Sequence, residues 1–241
     1  MDWYLFALII LVGIGAGFVQ RVSGFGLCIF AMLFLPYILP SHTAAAAVSC
    51  LFSVYLSTYN AVRYRKYINY KMVWPMFIAS AVTIPIAVRF SSRVSAEVFS
   101  YLLGGVLILL SVYFLFFNQK IKFKPTTAGG VLSGALGGIL GGLFSTGGPP
   151  IVLYLSQATP DKMVYFATIQ FYFCLSDTYA SLTRAVSGVL TWQILLWGVV
   201  GIAGLALGDI IGKRVFDKLN SEMVKRVIYI GMIISGILMF I

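Results

Sequence analysis

Residues 134–150 read GALGGILGGLFSTGGPP. The early glycines recur at the three- and four-residue spacing that stacks small residues on one helix face. Such a face lets two backbones approach closely. Gly134 and Gly138 fit that role. Ser145-Thr146-Gly147-Gly148-Pro149-Pro150 does not, because consecutive glycine, hydroxyl and proline residues break a helix. In a soluble protein this would be a surface loop. Here no charged residue occurs between Lys124 and Asp161. The break therefore lies in sequence suited to lipid, where freed N–H groups cannot stay unpaired. It is tolerated only where it lines a cavity within the protein.

The rest of the chain has the same character. Of its 241 residues 60% are hydrophobic and 10% charged, against about half and about a quarter in soluble domains. The composition indicates an all-α, polytopic integral membrane protein, one transporter-sized domain over residues 1–241. Ten helical segments are predicted, at 3–19, 24–39, 43–61, 70–89, 96–117, 127–143, 148–158, 162–184, 191–211 and 223–241. A run of about 20 residues crosses the hydrocarbon core. Segments 43–61, 70–89, 96–117, 162–184, 191–211 and 223–241 meet that length, while 24–39 and 148–158 read as half-helices. The first run lacks a basic leader and reads as a retained helix, not a signal peptide.

Several function classes fall away. The net charge of +10 is distributed in short clusters between apolar runs, which suits a membrane protein and not nucleic-acid binding. Cys28, Cys50 and Cys174 are widely spaced in apolar segments, and His42 is the only histidine. No disulfide framework, metal site or cofactor is expected. No nucleophile has a plausible base and no nucleotide fingerprint has its context, so the chain does not read as an enzyme.

A shift of 122 residues superposes the two halves. It places Gly15 on Gly137, Ser23 on Ser145, Gly26 on Gly148, and Asn69 on Thr191, two N-cap candidates. Five segments make each repeat, about 1–120 and 125–241. Such repeats are common in secondary transporters. Of 17 Lys and Arg residues, 13 lie in the four loops that alternate onto one side: after segments three, five, seven and nine. Arg89, Arg93 and Arg184 fall on the other side. By the positive-inside rule the halves are expected to be inverted, with both termini extracytoplasmic.

The first repeat opens with its own break, GIGAGFVQRVSGFG at residues 13–26. Helix ends at such breaks favour anions. Two breaks in matching positions of inverted halves are expected to face each other near the midplane. The candidate substrate-binding residues are therefore Gln20, Arg21, Ser23, Gly24, Phe25 and Gly26 in the first break, and Ser145, Thr146, Gly147, Gly148 and Pro149 in the second. Arg21 is the candidate counter-charge, with snorkelling at a surface as its structural alternative. Gln170, Asp177 and Arg184 recur every seven residues on one helix face with Cys174 and Ser181. Gln170 joins the candidate site. Asp177 is a candidate for proton coupling, or else a structural hydrogen bond. Ser49, Ser53 and Asn60 read as helix glue, and Asp209 as a structural partner of Lys213, four residues on.

Residues 20–26 (QRVSGFG), 141–154 (GGLFSTGGPPIVLY) and 212–222 (GKRVFDKLNSE) resemble the TauE/SafE sulfite exporter family, also called the toluene sulfonate uptake permease family. The usual pattern of that family has glycine where Thr146 stands. The resemblance implies a prokaryotic plasma-membrane transporter of two repeated halves, whose substrates are sulfur-containing or carboxylated small anions. The expected function is a secondary transporter moving such an anion by alternating access. The alternatives are a passive anion channel of the same fold and a non-transporting scaffold or receptor. Its partners are a small anionic solute and the lipid bilayer, with homo-oligomerisation left open.

Overall fold

The computed structural model of the protein describes residues 3–23, 26–117, 125–215 and 221–240. Among them the chain forms ten α-helices and no strand: α1 (Trp3–Ser23), α2 (Leu27–Ile38), α3 (His42–Arg63), α4 (Tyr70–Ser91), α5 (Ala96–Val112), α6 (Thr127–Phe144), α7 (Gly148–Ala158), α8 (Lys162–Val186), α9 (Trp192–Val215) and α10 (Ser221–Leu238). A 3-10 turn at Arg65–Tyr67 precedes α4, and a π turn at Tyr113–Phe117 follows α5. The sequence predicted an unbroken helix through 117. α1 extends to Ser23, because Gln20 and Arg21 end the apolar run without opposing the helix.

Among the described residues six helices are long and apolar enough to cross a membrane: α1, α3, α4, α5, α6 and α9. The sequence reading included segment eight and did not count segments one and six. α8 has the length, 25 residues, but carries the polar stripe. Segment ten, 223–241, falls partly on side chains outside the described residues; within them Tyr229–Leu238 is an apolar run. Ile78, Val82 and Ile86 follow one face of α4 at four-residue spacing and are 61%, 63% and 66% exposed. A continuous bare apolar face of this kind is a surface for lipid.

The chain divides into two compact units. One comprises Met1–Ser49, Arg93–Ile121 and Trp192–Ile241, and the other Cys50–Ser92 and Lys122–Thr191. The division ignores the repeat boundary, and each unit draws helices from both halves of the sequence.

In the first unit α1 packs chiefly against α9. A Cβ at Gly13 or Gly17 would strike the carbonyl oxygens of Gly201 or Leu205, and one at Gly204 or Gly208 those of Ile10 or Ile14. The two backbones thus touch through glycines on both sides. α2 lies against α1, and α5 against α10.

In the second unit α6 takes α4 as its chief partner. Gly134 meets the Met76 backbone, Gly138 meets Ser80 and Thr83, and Gly142 meets Ile84 and Ala87. Val73, Met76, Ile151, Tyr154, Leu155, Ile169 and Tyr172 form the core between α4, α7 and α8. The buried Tyr172 hydroxyl lies 2.6 Å from Ser80 Oγ. Asn69 occupies the N-cap position of α4 without a side-chain cap bond. Its N–H instead donates to Thr168 Oγ1 at 3.0 Å.

Candidate functional site

The second break is the turn of a hairpin. α6 ends at Ser145, which adopts a left-handed conformation, φ 58° and ψ 18°, at a cost of about 1–3 kcal/mol for a residue other than glycine. α7 then folds back along α6. Ser133 Oγ donates to the Pro150 carbonyl at 2.7 Å, and the Tyr154 hydroxyl to the Thr126 carbonyl at 3.1 Å. The 18 residues of α6 rise about 27 Å, so the turn lies most of a hydrocarbon thickness from the hairpin's base. Pro149 and Pro150 fill the first turn of α7 and have no N–H. Gly148 therefore supplies the remaining backbone donor of that turn.

A guanidinium holds the turn. Arg184 is only 2% exposed. Its Nη2 donates to the carbonyls of Gly141 at 3.1 Å and Gly142 at 2.9 Å, and to Ser145 Oγ at 3.2 Å. The last carbonyls of a helix lack intrahelical partners and carry partial negative charge. Arg184 therefore caps α6 with a full positive charge. Its Nη1 is buried without a hydrogen-bond partner, and so is Thr146 Oγ1. The sequence reading counted Arg184 as a loop charge. The structure places it inside α8, on the face that the seven-residue stripe already marked.

The stripe is a polar seam between α8 and the second part of α3. Ser53 Oγ donates to Asp177 Oδ2. Cys50 Sγ donates to the Asp177 carbonyl at 3.4 Å and accepts from Ser181 Oγ at 3.4 Å. Thr58 Oγ1 lies 3.3 Å from Cys174 Sγ, and Asn60 Nδ2 donates to Gln170 Oε1 at 3.4 Å. Asp177 and Arg184 also interact electrostatically. Asp177 is thus both hydrogen-bonded and near a buried cation. Gln170 lies one stripe interval from it, about 10 Å along the helix.

The first break is held differently. Gly26 has φ 105°, a conformation open to glycine at little cost. Gln20 reaches across the turn, and its Oε1 accepts from the Leu27 N–H at 3.2 Å. A side chain thereby occupies the first turn of α2. Ser23 ends α1. Gly24 and Phe25 lie outside the described residues. Arg21 Nη1 stands 3.6 Å from Asp209 Oδ1 on α9, both side chains about a quarter exposed. Arg21's Cβ and Cγ lie beside Gly212. The sequence reading gave Asp209 to Lys213, but the ion pair is with Arg21.

Gly147 and Gly148 differ in what they require. A Cβ on Gly147 would strike the Gly137 carbonyl, whereas one on Gly148 would meet only the Phe173 ring, at 3.4 Å. Among the described residues no group of three or more His, Cys, Asp and Glu side chains could hold a metal ion.

No curated protein and no solved structure gave a significant match to the chain. The family model described as Sulfite exporter TauE/SafE matches residues 9–239. Over nearly its whole length, then, this membrane transporter chain belongs to the TauE/SafE sulfite exporter family.

Proposed function

We propose that the protein is a secondary carrier that moves a small anion of the sulfite, organosulfonate or carboxylate class across the plasma membrane by alternating access. One observation carries this reading. Each compact unit contains one broken hairpin, α1–α2 or α6–α7, packed through glycines on the fourth helix of the opposite half of the sequence. Reciprocal exchange of this kind suits two inverted repeats, and units with one hairpin each suit rocking about a shared substrate site. The charge distribution supports the same topology. With Arg184 buried in α8, Arg89 in the last turn of α4 and Arg93 just after it remain as the basic residues assigned to the extracytoplasmic side, where both termini would lie.

In this carrier the substrate-binding residues are Gln20, Arg21, Ser23, Gly24, Phe25 and Gly26 of the first break, and Ser145, Thr146, Gly147, Gly148 and Pro149 of the second. Gln170 and Asp177 extend the polar lining, and Asp177 carries the coupling proton. Reconstituted protein should show saturable counterflow of labelled sulfite or a sulfonate. Large unitary anion currents would identify a channel instead, and absence of anion binding to purified protein a scaffold. Reporters active only in the cytoplasm should stay silent at both termini, and a signal at either would contradict the inverted topology.

A further inference from the structure

We propose that the α6–α7 turn seats a singly charged oxyanion, with Arg184 Nη1, the Thr146 hydroxyl and the Gly148 N–H as its donors. This deepens the transport reading and rests on it. Arg184 and Thr146 are 2% and 1% exposed, and each has a buried polar atom with no partner in the protein. Buried donors are almost always satisfied in native structures, because stranding one forfeits its bond to water. Two such donors stand at one turn. Arg184 Nη2 is anchored on Ser145, the residue before Thr146.

The anchoring matters. With Nη2 committed to three acceptors, the planar fork is held and the direction of Nη1 is set before a ligand arrives. What the turn lacks is an acceptor. Oxygens of a sulfonate, bisulfite or carboxylate are acceptors that carry charge, and they suit a guanidinium edge beside a hydroxyl. Gly148 leaves room for one more carbon at the turn. Its φ is not positive, and a Cβ there would make only ordinary contact with Phe173. Neither the turn nor the packing demands glycine at this position, but a ligand close to its N–H would.

Charge selects the class. One buried guanidinium caps the turn. A second negative charge on the ligand would have no buried cation to offset it.

The test uses purified full-length protein, titrated with sodium methanesulfonate and with sodium sulfate at constant ionic strength. Binding is read by calorimetry and by the unfolding temperature, which bound ligand raises. Methanesulfonate should bind saturably and at least tenfold more tightly than sulfate. Thr146→Val should unfold no lower than the parent in anion-free buffer, since the lost hydroxyl bonds to nothing in the protein. It should bind methanesulfonate about tenfold more weakly, the value of one hydrogen bond to a charged group. Gly148→Ala should weaken binding as well, which keeps the test decisive if Thr146→Val fails to fold. Parental affinity in either folded variant overturns the seat while leaving the transport reading standing. Sulfate binding as tightly as methanesulfonate overturns the monoanion assignment. A parent protein that binds neither anion overturns the seat.

Discussion

The glycine contact between α1 and α9 can be tested by adding one carbon. A Cβ at Gly208 would overlap the Ile14 carbonyl oxygen and stand 2.9 Å from Ile14 Cα. Both obstacles are backbone, so no side chain can swing away, and the two helices must move apart. Gly105 on α5 is the control, because a Cβ there meets nothing within 4 Å. Alanine gains about 1 kcal/mol over glycine inside a helix, and this gain applies at both positions. Overpacking costs about 1–3 kcal/mol, and a backbone obstacle belongs at the upper end. Gly105→Ala should therefore be neutral or stabilising by up to about 1 kcal/mol, and Gly208→Ala destabilising by about 2 kcal/mol. A difference of about 3 kcal/mol separates the unfolding midpoints by about 6–12 °C in a chain of this size. Thermal unfolding of the purified protein, followed by tryptophan fluorescence, measures it. If Gly208→Ala unfolds at or above the temperature of Gly105→Ala, the α1–α9 contact is not made as described.

Three further outcomes follow from the site. Arg184→Met removes the charge at the end of α6 and its bonds to the Gly141 and Gly142 carbonyls, and should cost about 3–5 kcal/mol of stability, as expected for a broken buried charge network; denaturant titration would show it, and a loss below about 1 kcal/mol would mean that the turn holds itself. Arg21→Gln should change stability by under about 1 kcal/mol, since its ion pair is part-exposed, but should weaken anion binding by removing the counter-charge. Adding Asp209→Asn should not restore that binding, and a double variant that binds like the parent would show that Arg21 acts only by balancing Asp209. Asp177→Asn retains an acceptor for Ser53 and should leave uptake insensitive to an imposed pH gradient in proteoliposomes; unchanged pH dependence would remove Asp177 from coupling.

Helix positions were legible because the sequence marks their ends. Charges, prolines and Asx residues bracket apolar runs, so α7 begins and ends at the predicted residues. Charge was a poorer guide where a helix outlasts its apolar run, as at Gln20 and Arg21. Both breaks were legible from glycine, serine and proline alone, but what fills them was not. Gln20 reaches Leu27 across a turn, a contact no helical periodicity encodes. Nor does a row of glycines name its partner: Gly13 and Gly17 announce close packing, while the choice of α9 is a tertiary outcome. Arg184 is the instructive case. Its place at the end of the predicted segment 162–184 put it among the loop charges, yet its seven-residue interval from Asp177 placed it on the buried face. For an arginine near a helix end, the face it shares is a better guide than its distance from the terminus.

The most direct measurement is counterflow of a labelled sulfonate into proteoliposomes holding either the parent protein or Gly148→Leu. Gly148 has room for a first carbon without backbone collision, whereas Gly26, at φ 105°, would be strained by any side chain. Gly148→Leu therefore blocks the turn without forcing the fold. The expected result is saturable counterflow by the parent and none by a Gly148→Leu protein of parental helix content. Counterflow at the parental rate in Gly148→Leu, or none in the parent, would contradict an anion carried at the α6–α7 break.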